Sequence, residues 1–168
     1  MKFKIFIQPL GVMNNQLISV LKMGLAKRFN ANVEIKESLE HDVSCFNFRR
    51  MQYNSTCLLR KLNPVRVTLG VTEEDIYANS MNFVFGEAEL NGSRAIVSIF
   101  RLKSMNRQLV YDRLLKESIH EIGHVLGLRH CRNKTCVMSF SNSILEVDRK
   151  TSQFCELCKL QIAQYLKE

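Results

Sequence analysis

The chain has 168 residues, 46% of them hydrophobic and 24% charged, and this length and composition are typical of one globular domain with its own core. No apolar run approaches the ~20 residues of a membrane-spanning helix, which excludes a membrane protein. The formal net charge of +8 is distributed without a basic tail or block, and this argues against nucleic acid as a partner.

The first part of the chain has the pattern of a strand, a helix and a second strand. Residues 3–7 alternate in polarity, Asn14 and Asn15 offer an N-cap, and residues 17–25 follow a helical period. Residues 33–35 alternate again. This order over so short a stretch predicts a crossover between parallel strands, and therefore an α/β fold.

The six cysteines are expected in a reducing compartment. Gln8 and Pro9 interrupt the apolar stretch at the start, which makes it too short for a secretory signal. We therefore predict a cytoplasmic protein, in which clustered cysteines bind metal more often than they form disulfides. Cys45 and Cys57 have no partner at the spacing of metal ligands, so free, partly buried thiols are expected at both positions.

The middle of the chain combines a polar segment with three predicted strands. Residues 37–64 are polar and irregular in pattern and are predicted to form mainly a long surface excursion. The strands are predicted over residues 65–69, 82–90 and 95–102. The dipeptide Asn91-Gly92 favours a two-residue type I′ hairpin, because both positions of that turn require positive φ, so the last two strands should be antiparallel neighbours.

A long amphipathic helix is predicted after these strands. Ser104 or Asn106 can cap it, and it runs to about Leu126. Its apolar stripe consists of Leu115, Ile119, Ile122 and Leu126. His120 and His124 lie on a different face, so one face can pack on the sheet while the other faces a cleft.

Residues 120–130 contain the motif H-E-x-x-H-x-x-G-x-x-H. On a helix, His120 and His124 differ by ~40° in azimuth and ~6 Å in rise, so both can reach one zinc ion. Gly127 can end the helix, because glycine enters the left-handed region without a Cβ penalty, and the turn then brings His130 back to the metal.

Three neutral imidazoles leave a tetrahedral zinc ion with one open position, which is typical of a catalytic site, and a water bound there has its pKa lowered to ~7. Glu121 directly follows the first ligand and is the predicted general base for that zinc-bound water. The alternative is a helix with surface or core histidines, which a single histidine would favour. Five fixed positions that match together favour the catalytic zinc ion.

Four cysteines have the spacing of a closed zinc site. Cys131 and Cys136 form C-x4-C, and Cys155 and Cys158 form C-x2-C on a last helix that Ser152 can cap. Four thiolates without an open position predict a structural zinc ion. The competing interpretation, a thioredoxin-type redox pair at the C-x2-C, lacks the expected βαβ context and leaves the first pair unexplained.

The histidine motif and its continuation through the four cysteines resemble the archaemetzincins, a family of zinc metallopeptidases of the metzincin clan. The resemblance includes Val137-Met138 and extends upstream to residues 52–54, 69–72 and 82–88. It implies that Met138 is the Met-turn residue, packed beneath the zinc ion without binding it. It also implies that residues 82–88 form the upper rim of the cleft, where an extended peptide can pair with an exposed edge.

One feature of some metzincins is absent from this sequence. These proteins place a tyrosine two residues after the methionine as an additional metal contact, whereas Ser139 and Phe140 follow Met138 here. We therefore expect the histidine site to have no fifth protein ligand.

The predicted fold is α/β and metzincin-like, with a mixed, mostly parallel twisted sheet, flanking helices, an active-site helix and a small zinc-braced C-terminal lobe. We expect one catalytic domain over residues 1–168, with an N-terminal subdomain over 1–127 and a C-terminal subdomain over 128–168. The resemblance implies a zinc peptidase that acts on a peptide or protein substrate, and we expect a monomer with two zinc ions.

Two other functions stay open at this point. The first is a catalytically silent or weakly active zinc protein that binds a peptide or another partner in the cleft, and the presence of the base Glu121 argues against it. The second is a nucleic-acid-binding module built on the cysteine site, and the scattered basic charge argues against that.

Overall fold

The computed structural model describes residues 3–78 and 80–166, which form a five-stranded sheet, a three-stranded sheet and six α-helices. The strands are β1 (Lys4–Leu10), β2 (Asn32–Ile35), β3 (Phe46–Asn47), β4 (Gln52–Asn54), β5 (Val67–Thr72), β6 (Ile76–Tyr77), β7 (Gly86–Ala88) and β8 (Arg94–Ser98). The helices are α1 (Asn15–Phe29), α2 (Ser55–Lys61), α3 (Arg107–Val125), α4 (Ile144–Arg149), α5 (Glu156–Gln161) and α6 (Ala163–Leu166). Within this described part, none of the helices is long and apolar enough to cross a membrane.

The main sheet confirms the predicted mixed, mostly parallel arrangement. Its strand order is β2-β1-β5-β8-β7, and among these described strands only β7 runs antiparallel to its neighbour. Parallel strands require crossover connections, and α1 supplies the one between β1 and β2. The side chain of Asn14 caps α1, as predicted, by accepting a hydrogen bond from the amide of Leu17 at 3.1 Å.

Helices cover both faces of the main sheet. On β8, Ala95 and Val97 belong to the large core that includes α1 and α3, whereas Ile96 packs in a smaller cluster with residues of α2. Successive side chains of a strand point to opposite faces, so α2 lies on the face opposite to α1 and α3. This layering is typical of sheets with mostly parallel strands and confirms the α/β class.

Residues 37–64 are more ordered than the predicted surface excursion. Strands β3 and β4 form a short antiparallel pair, β4 also pairs with β6, and α2 follows β4 directly. Asn54 caps α2 by accepting a hydrogen bond from the amide of Cys57 at 2.9 Å. Strands of two or three residues are too short to show a hydrophobic period, so the sequence pattern concealed them.

The prediction of free thiols at Cys45 and Cys57 is wrong, because the two residues form a disulfide bond. Cys45 ends a 3₁₀ turn and Cys57 lies in the first turn of α2, and the fold of this segment brings their Cα atoms to 5.4 Å. The two residues are 12 positions apart in the sequence, and no spacing rule identifies such a pair. The cytoplasmic location stays a prediction, and this pair of cysteines no longer supports it.

Strands β7 and β8 are antiparallel neighbours, as predicted, but the turn between them differs from the prediction. Asn91 has a positive φ of 54°, whereas Gly92 does not have a positive φ, so the type I′ turn is wrong. The amide of Glu89 donates to the carbonyl of Arg94 at 2.9 Å, which leaves a connection longer than two residues. The amide of Asn91 donates to the carbonyl of His124 at 3.1 Å, so contact with α3 shapes the loop.

Several element boundaries differ from those predicted. Only Gly86–Ala88 of residues 82–90 forms a regular strand, and the last predicted helix begins at Glu156 and not after Ser152. Cys155 is its N-cap residue, and the helix is divided into α5 and α6. The predicted cap at Ser152 is therefore wrong.

Candidate active site and metal centres

The predicted active-site helix is α3, which begins where the sequence indicates. The side chain of Asn106 accepts hydrogen bonds from the amides of the first turn, which makes it the cap in preference to Ser104. Ile119 and Ile122 are fully buried in the large core. The face that carries the histidines lines a cleft of about 460 Å³, together with residues of β7 and residues 140–142.

His120, His124 and His130 come together in this cleft, with their ligand nitrogens within 4.8 Å of one another. The Nε2 atoms of His120 and His124 are 3.1 Å apart. Zinc–nitrogen bonds of ~2.0–2.1 Å in a tetrahedron place neighbouring ligand atoms ~3.3 Å apart, so these two nitrogens fit one zinc ion. The centre of the His130 ring lies 4.9 Å from that of the His124 ring, so His130 completes the cluster of three imidazoles.

Backbone carbonyls orient the first two histidines. Nδ1 of His120 lies 2.8 Å from the carbonyl oxygen of Val137, and Nδ1 of His124 lies 2.7 Å from that of Leu128. A ring that donates from Nδ1 leaves Nε2 unprotonated for a metal ion. Burial lowers the pKa of both imidazoles, and that of His120 falls well below its ordinary value, which favours the neutral, metal-binding form.

Gly127 ends α3 and turns the chain, as predicted. Its φ of 96° lies in the region that favours glycine, and the amide of Leu128 donates back to the carbonyl of Gly123 at 2.9 Å. A Cβ atom at Gly127 would also overlap the side chain of Asn91 in the β7–β8 loop. These features allow the chain to return His130 to the cleft.

Glu121 lies in the cleft next to the edge strand β7. It is buried, and a Cβ atom added at Gly86 would lie only 2.7 Å from its Cγ, so a glycine there leaves room for the carboxylate. Burial raises the pKa of Glu121 well above its ordinary value, and the negative charges of Glu117 and Glu87 act in the same direction. A carboxylate with a raised pKa is a stronger base and therefore a better proton acceptor.

The four predicted zinc-binding cysteines also converge, with their Sγ atoms within 4.8 Å of one another. Cys131 and Cys155 have their Sγ atoms 3.8 Å apart, and Cys136 and Cys158 have the same separation. Zinc–sulfur bonds of ~2.3 Å in a tetrahedron give edges of ~3.8 Å, so the spacing fits one zinc ion. Each of these contacts joins a residue of the first pair to one of the second, so a metal ion here would cross-link two segments.

Met138 has the position that the resemblance implies for a Met-turn residue. It is fully buried, and a Cβ atom at Gly123 would overlap its Sδ, so the side chain packs directly against α3. Gly123 precedes His124, which places the methionine against the helical turn that carries the histidines. Phe140 occupies the position of the absent tyrosine, with its ring centred 5.1 Å from that of His130.

A buried ion pair next to the cleft was not predicted from the sequence. Nζ of Lys150 lies 2.8 Å from Oε1 of Glu117, and both side chains are almost inaccessible to solvent. Glu117 precedes Glu121 by one helical turn, and this spacing could have identified it as a residue of the same face. No sequence pattern marks Lys150, because its partner is distant along the chain.

A second contact missed in the sequence holds the edge strand. Glu87 of β7 lines the cleft, and Thr56 of α2 donates a hydrogen bond to its Oε1 at 2.8 Å. Ser55 Oγ donates to the other oxygen of the same carboxylate. Helix α2 therefore fixes β7 from the side of the smaller core.

Comparison with known proteins agrees with the geometry. A family profile described as peptidase family M54 matches residues 27–164. An archaemetzincin of Archaeoglobus fulgidus is 55% identical over 159 residues, which cover 95% of this chain and 98% of that protein. An archaemetzincin of Methanocaldococcus jannaschii is 48% identical over 170 residues, covering 96% and 94% of the two chains.

Solved structures share the fold. The crystal structure of the Archaeoglobus fulgidus archaemetzincin, complexed with malonate, matches with a TM-score of 0.92 and 54% identity, covering 95% of this chain and 100% of that one. That of the Methanopyrus kandleri archaemetzincin has a TM-score of 0.88 and 34% identity, covering 99% and 97%. A structure from Methanocorpusculum labreanum, described as a zinc-dependent peptidase, has a TM-score of 0.84 and 27% identity, covering 94% and 99%.

These findings define the class of protein as a zinc metallopeptidase with a metzincin-like α/β fold, which confirms the predicted fold class and the predicted class of enzyme. The chain belongs to peptidase family M54, the archaemetzincins.

Proposed function

We propose that this chain hydrolyses peptide bonds with a catalytic zinc ion on His120, His124 and His130, and with Glu121 as the general base. The observation that carries the proposal is the convergence of three imidazoles, two of them oriented by backbone carbonyls, with a buried carboxyl group in the same cleft. Zinc bound at such an open site supplies a Lewis acid that polarises the scissile carbonyl and lowers the pKa of a coordinated water to ~7.

Glu121 performs the proton transfers of the reaction. It accepts a proton from the attacking water and then donates it to the nitrogen of the leaving amine. The raised pKa of its carboxyl group supports the first step, because a carboxylate of higher pKa is a stronger base. Gly86 supports the same role, since any side chain at that position would displace the carboxylate.

Strand β7 aligns an extended substrate in the cleft. It is an edge strand of the main sheet, and β8 is its one described neighbour, so the other side of its backbone is free to pair with a peptide. Glu87 fixes the strand to α2 through Ser55 and Thr56. Aromatic side chains at Phe83 and Phe140 give the cleft apolar walls for substrate side chains.

A second, structural zinc ion binds Cys131, Cys136, Cys155 and Cys158. The distances between the sulfur atoms support this part of the proposal, as does the absence of a disulfide among these four described cysteines. Four thiolates leave no open position, so this ion braces the C-terminal subdomain over residues 128–168 and takes no part in the reaction.

A peptide-library screen of the zinc-loaded protein tests the proposal, with Glu121→Gln as the matched control. The amide keeps the shape of the side chain and removes the base, so we expect cleavage by the parent protein, none by the variant and equal zinc content in both. Undiminished turnover in Glu121→Gln would exclude the mechanism. Peptide binding without cleavage by the parent would favour the silent, partner-binding alternative.

A further inference from the structure

The Met-turn, residues 137–139, makes two direct contacts with the active-site helix. The carbonyl oxygen of Val137 lies 2.8 Å from Nδ1 of His120, and this contact sets the orientation of the imidazole. Met138 packs against Gly123, one helical turn further along. The distance between the Met-turn and α3 therefore determines whether the carbonyl of Val137 stays in contact with His120.

The last residue of the Met-turn, Ser139, is attached to the helix indirectly, through Lys150. Lys150 is 1% exposed, and its Nζ donates a hydrogen bond to the carbonyl oxygen of Ser139 at 3.2 Å. The same ammonium group lies 2.8 Å from Oε1 of Glu117, which precedes His120 by one turn of α3. One buried charge thus bridges the Met-turn and the helix that carries the histidines.

The backbone of Lys150 is itself fixed. Its amide donates to the carbonyl of Glu146 at 3.3 Å, which closes the end of α4. The ammonium group is therefore held in place by α4 and is directed into the space between Glu117 and Ser139. A side chain in this position is suited to fix one segment relative to another.

We propose that Lys150 is a positioning residue for the histidine zinc site. It holds the Met-turn close to α3, so that the Val137 carbonyl can orient His120 and Met138 can pack against the helix. Partners that orient metal ligands typically change metal affinity by ~10–100-fold when they are lost. The inference rests on the proposed function in one respect, because it takes His120 as a zinc ligand.

A second buried lysine provides a matched control. Nζ of Lys116 contacts the carbonyl oxygens of Val147 and Asp148 at 3.3 and 3.4 Å and the carboxylate of Asp112 at 2.7 Å. These contacts attach α3 to α4 without reaching the Met-turn. Without Lys116, helix α4 is still held to α3 by the ion pair of Arg113 with Asp148 at 2.7 Å, so stability should fall without a change in the orientation of His120.

The test compares Lys150→Met with Lys116→Met. Zinc affinity is measured by titration against a competing chelator, and His124→Ala identifies the binding step that belongs to the histidines. The melting temperature is measured on proteins that carry zinc at the cysteine site alone. We expect Lys150→Met to weaken zinc binding at the histidine site by at least ~10-fold. Lys116→Met should change that affinity by less than about twofold, because its contacts lie elsewhere.

A double variant, Glu117→Gln/Lys150→Met, separates positioning from stability. Lys150→Met alone leaves the Glu117 carboxylate buried without its ion-pair partner, which is strongly destabilising. The double variant removes both charges, so its melting temperature should recover toward that of the parent protein. The carbonyl of Ser139 still lacks its donor, so zinc affinity at the histidines should stay low.

Zinc affinity and melting temperature together decide whether Lys150 positions the histidine site. Zinc affinity that recovers together with the melting temperature in the double variant would overturn the inference, as would parental zinc affinity in Lys150→Met. A parent protein that binds no zinc at the histidines would overturn the proposed function, and this inference would fall with it. The parent titration distinguishes these failures.

Discussion

The backbone amide of Cys131 donates a hydrogen bond to the carbonyl oxygen of Met138 at 2.9 Å, which connects the proposed cysteine site directly to the Met-turn. Cys136 adds a second link, because its Sγ accepts a hydrogen bond from the amide of Met138 at 3.4 Å. His130 directly precedes Cys131 in the chain. The two candidate metal sites therefore share one short stretch of backbone.

Cys136→Ser should weaken zinc binding at the histidine site, although it removes none of that site's ligands. Loss of the structural zinc ion would release the segment between Cys131 and Met138, and the third histidine would lose its fixed position. We expect a decrease of ~10-fold or more in a titration against a competing chelator. His124→Ala is the control and should leave the cysteine site intact. Equal histidine-site affinity in Cys136→Ser and the parent would show that the sites are independent.

The protein should contain two zinc ions per chain that differ in their rate of release. A closed site of four thiolates should lose its ion more slowly than an open site of three imidazoles, because no ligand position is free for an incoming chelator. Elemental analysis of protein purified without a chelator gives the stoichiometry, and a chelator time course gives the two rates. A single zinc ion, together with a disulfide between Cys155 and Cys158 in reducing buffer, would contradict the two-site proposal.

In the metal-free protein, Cys155 should be the most reactive of the four clustered thiols near neutral pH. The backbone amide of Cys158 donates a hydrogen bond to its sulfur, and this contact leads the interactions that lower the pKa of Cys155 to about 7. Burial raises the pKa of Cys136 and of Cys158. Because the thiolate is the nucleophile, the alkylation rate of Cys155 should rise with pH through about 7 and then level off.

Iodoacetamide labelling followed by peptide mass spectrometry measures this order of reactivity, with the zinc-loaded protein as the protected control. Equal labelling of all four thiols would indicate that the site has no fixed geometry without its metal. Labelling of Cys158 before Cys155 would contradict the hydrogen-bond arrangement itself.

The parts of the site that the sequence predicted are those encoded within one element or its end. His120 and His124 share one helix, and Gly127 ends that helix, so spacing alone determines their geometry. The cysteine pairs follow the same logic, because each close pair has a known metal spacing. The mixed, mostly parallel sheet was predictable because alternating strands and a long helix have distinct periods.

The parts that the sequence did not predict depend on contacts between distant segments. The role of Lys150 depends on its contact with Glu117, to which α4 brings it, and no local sequence pattern predicts that contact. The turn at Asn91 follows its hydrogen bond to α3 and not the preference of the dipeptide. Cys45 and Cys57 are joined by the fold of a segment whose strands are too short to show a period.

Replacement of both Cys45 and Cys57 by Ala should lower the free energy of unfolding by about 3 kcal/mol, because a crosslink across a loop of this length restricts the unfolded chain. Zinc content should not change, since the segment that carries the disulfide contains none of the proposed ligands. Helix α2 should stay in place, because its own Leu58 and Leu59 are buried and its Ser55 still donates a hydrogen bond to Glu87.

Denaturant unfolding of the zinc-loaded parent and of the double variant measures the difference, and a thiol titration of the denatured, metal-free parent provides the control. That titration should find four reactive thiols among the six cysteines of the chain. Six thiols would show that the bond does not form, and a variant that loses zinc would show that this segment supports the metal sites.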